Sequence, residues 1–108
     1  MAGLAEKEIE RLFVDAIKDA GGIAYKFTSP GNSGVPDRIV CLPDGQTIFV
    51  ELKTTTGRLT TLQERQIDRL HKAGQSTVVL YGLRDVIDFL EYYDMPEQAE
   101  RLARRYDL

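Results

Sequence analysis

The run Thr47-Ile48-Phe49-Val50-Glu51-Leu52-Lys53 places two charges inside an otherwise apolar segment. In a strand, residues two apart share a face, so Ile48, Val50 and Leu52 point one way and Glu51 and Lys53 the other. The preceding Pro43-Asp44-Gly45-Gln46 is a strong hairpin signal joining this strand to a partner over about Arg38 to Leu42. The strand is expected to be central, flanked by two others and by helices, and charges buried there need a physical reason. Counting outward from a three-residue turn at 43–45 sets Asp37 opposite Glu51. Two carboxylates so close repel unless a cation or a proton lies between them. The Pro36-Asp37 pair also fits a plain turn, and a slip of one residue would send Asp37 to the other face.

Around this hairpin the periodicity predicts a layered α/β domain. Ile9, Leu12, Phe13, Ala16, Ile17 and Ala20 recur at helical steps, which predicts a helix from about Leu4 to Ala20 ended by Gly21-Gly22. Ile23 to Phe27 reads as a first strand, followed by the loop-forming stretch Ser29 to Gly34. After the hairpin, a helix is expected from about Thr61 to Ala73 and a β-branched fourth strand at Thr77 to Tyr81. Helices follow from Leu83 to Tyr92 and after Pro96, the second carrying Ala99, Leu102, Ala103 and Tyr106. The order is α-β-β-β-α-β with a helical extension, and 108 residues suit a single domain with one core.

Composition narrows the function classes. No apolar run approaches the roughly 18 residues of a membrane helix, and Glu6, Glu8 and Glu10 follow the first residues too closely for a signal peptide. A soluble, cytoplasmic chain is the expectation. Cys41 stands alone, which rules out an intrachain disulfide and fits a reducing compartment. His71 is the only histidine, and no serine or cysteine has a plausible base beside it, so nucleophilic triads and Cys/His zinc sites are disfavoured. The net charge of −3 argues mildly against nucleic acid, yet residues 26–72 carry seven basic groups against five acidic. Two of those five are Asp37 and Glu51.

The candidate chemical groups are these. Glu51 would offer oxygen to Mg²⁺ or Mn²⁺, and Lys53 would orient an attacking water or stabilise charge on a phosphoryl group. Asp37 would supply the second carboxylate. Glu10 borders the buried stripe of the first helix, with Glu6 one turn earlier, although acids there also suit the helix dipole. Gln63 faces inward beside apolar neighbours and either completes a capping box with Thr60 or hydrogen-bonds to water or phosphate in the site. The loop bearing Ser29, Asn32, Ser33 and Gly34 permits close backbone approach to a phosphate without matching a P-loop. Lys26, Arg38, Arg58, Arg65 and Arg69 are candidate phosphate contacts.

Taken together, Glu10, then Gly34-Val35-Pro36-Asp37-Arg38, then Glu51-Leu52-Lys53, then Leu59-Thr60-Thr61-Leu62-Gln63 resembles the VRR-NUC family. This is the virus-type replication and repair nuclease branch of the PD-(D/E)XK phosphodiesterases. The resemblance covers about residues 5–81 and leaves a helical tail over about 83–107. It implies a restriction-endonuclease-like αβββαβ core with a mixed central sheet flanked by helices, and Mg²⁺- or Mn²⁺-dependent DNA cleavage without a small-molecule cofactor. By that analogy Asp37 and Glu51 ligate metal with help from the Leu52 carbonyl, Lys53 is catalytic, and Glu10 and Gln63 complete the site, Glu10 also as a ligand. Short members of the family are mostly phage proteins, working in the host cytoplasm. They look like homodimers acting on branched DNA such as four-way (Holliday) junctions, in replication and repair. A flap- or RNA-directed nuclease, or an idle DNA-binding or assembly module on the same fold, stays open at this stage.

Overall fold

The computed structural model describes residues 3–108. Its elements run α1 (Glu6–Asp19), β1 (Ile23–Lys26), β2 (Arg38–Cys41), β3 (Thr47–Lys53), α2 (Thr61–Lys72), β4 (Thr77–Tyr81), α3 (Gly82–Tyr92) and α4 (Pro96–Arg105). The four strands form one mixed sheet in the order β1-β2-β3-β4. Antiparallel pairs join β1 to β2 and β2 to β3, and a parallel pair joins β3 to β4. A parallel neighbour cannot be reached by a tight turn, and α2 supplies the required crossover. The α/β layering expected from the sequence is present.

Alternation along β3 divides the molecule into two unlike sides. Ile48, Val50 and Leu52 are fully buried and meet Val40 of β2, Leu80 of β4 and the apolar stripe of α1. Into the same core α3 inserts Val86, Ile87, Phe89 and Leu90, with the Phe13 and Phe89 rings edge-on at 5.3 Å. Met95, Ala99 and Leu102 close it, so the C-terminal helices cap the core. Arg101 and Gln98 of α4 also donate to Asp19 at the end of α1, at 2.8 and 3.1 Å.

On the opposite side of the sheet α2 lies against β4 and buries none of its residues. Helices therefore flank both faces, but unequally. Among the described residues no helix is long and apolar enough to cross a membrane.

Leu90 distinguishes a core-building α3 from an appended tail. Leu90→Ala should cost about 2 to 5 kcal/mol in urea denaturation, the usual range for a fully buried leucine. A loss under about 0.5 kcal/mol, typical of surface substitutions, would show that α3 is dispensable to the core.

Candidate metal and phosphodiester site

Glu51 and Lys53 lie on the α2 side of the central strand, and both are buried, with Glu51 only 1% exposed. Their burial follows from β2 and β4 on either side and from the N-terminus of α2 above. Asp37 stands one step beyond the last paired residues of β2 and β3, Arg38 and Val50, which places it opposite Glu51. The ladder hydrogen bond from Leu42 N–H to the Gln46 carbonyl fixes the phase of the hairpin. Asp37 and Glu51 then form a non-hydrogen-bonded pair, the kind in which facing side chains approach most closely.

At the same level the chain leaves the ladder through Pro36. The Leu52 N–H, which would have looked for a backbone acceptor there, donates to Asp37 Oδ2 at 2.9 Å. That bond pins the Asp37 carboxylate to β3 beside Glu51.

Helix α2 is held over the site by its own cap. Thr60 Oγ1 accepts from the Gln63 N–H at 3.1 Å, while Gln63 Oε1 accepts from the Thr60 N–H at 2.9 Å. With its carbonyl so engaged, the Gln63 amide turns its Nε2 to Glu51 Oε2, 3.0 Å away. The capping box read from the sequence is present, and the other end of the same amide, expected to serve water or phosphate, bonds to Glu51 instead. Gly34 brings the loop before β2 against the same turn. Its φ is +89°, and a Cβ there would lie 2.6 Å from the Leu62 carbonyl carbon. Neither the backbone angle nor the space admits a side chain.

Glu51 is provided for asymmetrically. Oε2 receives Gln63 Nε2 and lies 3.7 Å from Lys53 Nζ. Oε1 is buried and has no hydrogen-bond partner among the described residues. Burial, and after it the neighbouring Asp37 charge, push the Glu51 carboxyl up to about 7; Lys53 opposes the rise and Glu6 adds to it. A buried carboxylate oxygen without a donor is costly and is the natural place for a cation.

The donor set fits Mg²⁺ or Mn²⁺. These are hard ions that take oxygen ligands, and Mg²⁺ commonly uses one or two carboxylates while water and substrate phosphate fill its shell. Among the described residues no group of three or more His, Cys, Asp or Glu side chains is placed to hold a metal ion. Two carboxylates, Asp37 and Glu51, are what the protein brings together.

Other candidates sit elsewhere. Glu10 lies on the core side of the sheet, because Arg38, one residue after Asp37, points opposite to it. Glu10 Oε2 accepts from Arg38 Nε at 2.8 Å and lies 3.7 Å from Lys26 Nζ. Arg38 also donates to the Ala24 carbonyl, so it is committed to tying α1, β1 and β2 together. The helix carboxylate whose charge reaches Glu51 is Glu6, one turn earlier. Asn32 donates to Ser29 Oγ within the exposed loop, and Ser33 and Arg58 are exposed. Periodicity along α1 could not separate Glu6 from Glu10, and the Gln63–Glu51 contact left as its traces the Thr60-x-x-Gln63 spacing and the inward-facing position of Gln63.

Two outcomes test this geometry. Glu51 has a folded value near 7 against 4.5 unfolded, so its ionisation opposes folding increasingly between those pH values and fully above 7. In EDTA, Glu51→Gln should therefore melt above the wild type at pH 8, by about 4 °C or more for each kcal/mol relieved, with the gap closing toward pH 5. Equal melting at both pH values would contradict a strained carboxylate. Gly34→Ala should cost at least about 1 to 3 kcal/mol from backbone strain alone, and an unchanged denaturation midpoint would disprove the close loop–helix contact.

Known proteins are similar to this chain in sequence and fold. The family model described as VRR-NUC domain matches residues 5–83. A relative from Acyrthosiphon pisum secondary endosymbiont phage 1, named "Putative nuclease p44", is 47% identical over 77 residues, covering 71% of this chain and 83% of that protein. A solved structure titled "VRR_NUC domain" superposes with a TM-score of 0.76 at 29% identity, covering 82% of this chain and 96% of the other. A second, "VRR_NUC domain protein", has a TM-score of 0.66 at 22% identity over 83% and 88% of the two chains, a likeness of fold. With the family model spanning the sheet, α1, α2 and the carboxylate pair, this chain belongs to the VRR-NUC family of nuclease domains.

Proposed function

We propose that the protein is a Mg²⁺- or Mn²⁺-dependent endonuclease that hydrolyses phosphodiester bonds in branched DNA, four-way junctions included. The observation that carries the metal-dependent chemistry is the buried, unpartnered Oε1 of Glu51 beside Asp37. Asp37, Glu51 and the Leu52 carbonyl would hold the ion. When bound, it supplies Lewis-acid polarisation of the phosphate and of the attacking water.

The chain's own residues prepare that chemistry. Gln63 restrains the Glu51 carboxylate by occupying Oε2, which would leave Oε1 to hold an ion. Lys53, buried next to Glu51, would set its amine where negative charge develops on the phosphoryl oxygens, and low local polarity strengthens that interaction. Asp37 is held in place by the Leu52 N–H. Glu10 acts at one remove, through Arg38, by locking α1 onto the strand that begins next to Asp37. Glu6, one turn earlier on α1, is the helix carboxylate whose charge bears on Glu51. A homodimer related by a two-fold axis would offer two such sites, the arrangement that symmetric cuts in a junction require.

The test is cleavage of a labelled panel (four-way junction, 5′ flap, 3′ flap, splayed arms, duplex) with Mn²⁺ and with EDTA. The wild type should cut the branched members only with metal. Asp37→Asn, Glu51→Gln and Lys53→Met should each lower the rate by about 100-fold or more while remaining folded. Undiminished cutting by Glu51→Gln in a preparation free of other nucleases would refute the assignment.

A further inference from the structure

The half of the sheet that α2 leaves open is apolar and continuous with the candidate site. On β1, Tyr25 is 58% exposed and Ile23 47%. Register carries the same face from Tyr25 to Ile39 on β2 and on to Phe49 on β3, and Phe49 shares its face with Glu51 two residues along. The Phe27 and Phe49 rings lie 5.6 Å apart at the edge of the row, both half-buried. Tyr25 thus sits two strand spacings, about 10 Å, across from Phe49 on a surface that ends at the buried carboxylate.

From this placement, and resting on the nuclease reading above, we infer that the open β1–β2–β3 face is a stacking platform for unpaired bases of the strand being cut, with Tyr25 as its exposed ring. An aromatic ring on an open sheet face is what flattens against unstacked bases, and such stacking tolerates any base because each has a π-face. A polynucleotide whose scissile phosphate enters beside Glu51 and Lys53 must run on over neighbouring surface within a few nucleotides. The apolar row is such a surface. A second copy of the chain laid flat on it would instead cover the approach to Glu51, so nucleic acid is the occupant that the location favours. A branched substrate supplies the unpaired or easily opened nucleotides that a continuous duplex withholds. The platform accordingly gives the site a physical means of preferring branch points.

The experiment measures binding in EDTA, where cutting does not intervene, to a blunt duplex and to a splayed-arm duplex with 2-aminopurine in an unpaired arm. Tyr25→Ala should weaken splayed-arm binding by about tenfold and abolish the change in 2-aminopurine emission, with duplex binding unaltered. Tyr25→Trp should restore both. Wild-type affinity of Tyr25→Ala for splayed arms would overturn the inference, and so would an equal loss on both DNAs. A fall in light-scattering mass with DNA affinity unchanged would also overturn it, by assigning the face to a second copy. Wild-type cutting of the same DNAs with Mn²⁺, scored in parallel, keeps the two readings separate. Cutting with Tyr25-independent binding defeats the platform alone, whereas Tyr25-dependent binding without cutting defeats the nuclease assignment and leaves the platform standing.

Discussion

A carboxylate buried in the middle of a sheet imposes its requirements on everything around it. Glu51 sits on the central strand with water excluded, so each of its oxygens needs a donor or a cation. One oxygen is met by Gln63, and that contact exists only because the capping box at Thr60 turns the amide toward the sheet. Gly34 in turn lets the loop before β2 press on the same helical turn, which carries the chain into Pro36 and Asp37. The second oxygen is left open. A local interaction at one helix end, worth roughly 1 kcal/mol as a cap, thereby sets the orientation of the group on which the proposed chemistry depends.

The cost of the arrangement is visible in the same residues. Asp37 and Glu51 face each other at the closest type of antiparallel pair, and their mutual repulsion adds to the burial that raises the Glu51 pKa. The large core on the other face, built from α1, α3 and the inner row of the sheet, is what offsets this strain. That division assigns stability to one side of β3 and leaves the other for the proposed chemistry. It also explains why the C-terminal helices, remote from the site, matter to it: they complete the apolar side.

Much of this was legible in the sequence where the determinant is local. The charged residues alternating through Thr47–Lys53, the Asp44-Gly45 turn and the Gly21-Gly22 stop fix the element order. Counting outward from the turn places Asp37 opposite Glu51, the register observed one step past the pairing of Arg38 and Val50. What could not be read depends on contacts between elements. Glu6 and Glu10 lie one turn apart on α1, and only folded contacts separate them: Glu10 pairs with Arg38 and Lys26, while the charge of Glu6 bears on Glu51. Arg38 looks like a phosphate contact until β2 is folded, whereupon it points into Glu10. The Gln63 bond to Glu51 requires knowing that α2 starts above β3. The unequal cover of the two faces follows from where α2 crosses over, near β4, which no periodicity encodes.

If Asp37 and Glu51 together hold a divalent ion, Mn²⁺ electron paramagnetic resonance detects it without any substrate. Titrating wild-type protein into Mn²⁺ at pH 8, where Glu51 is ionised, should deplete the free-ion signal to a saturating end point. The Asp37→Asn, Glu51→Gln double variant should leave that signal nearly intact. Equal depletion by both proteins, or none by the wild type, would contradict the account.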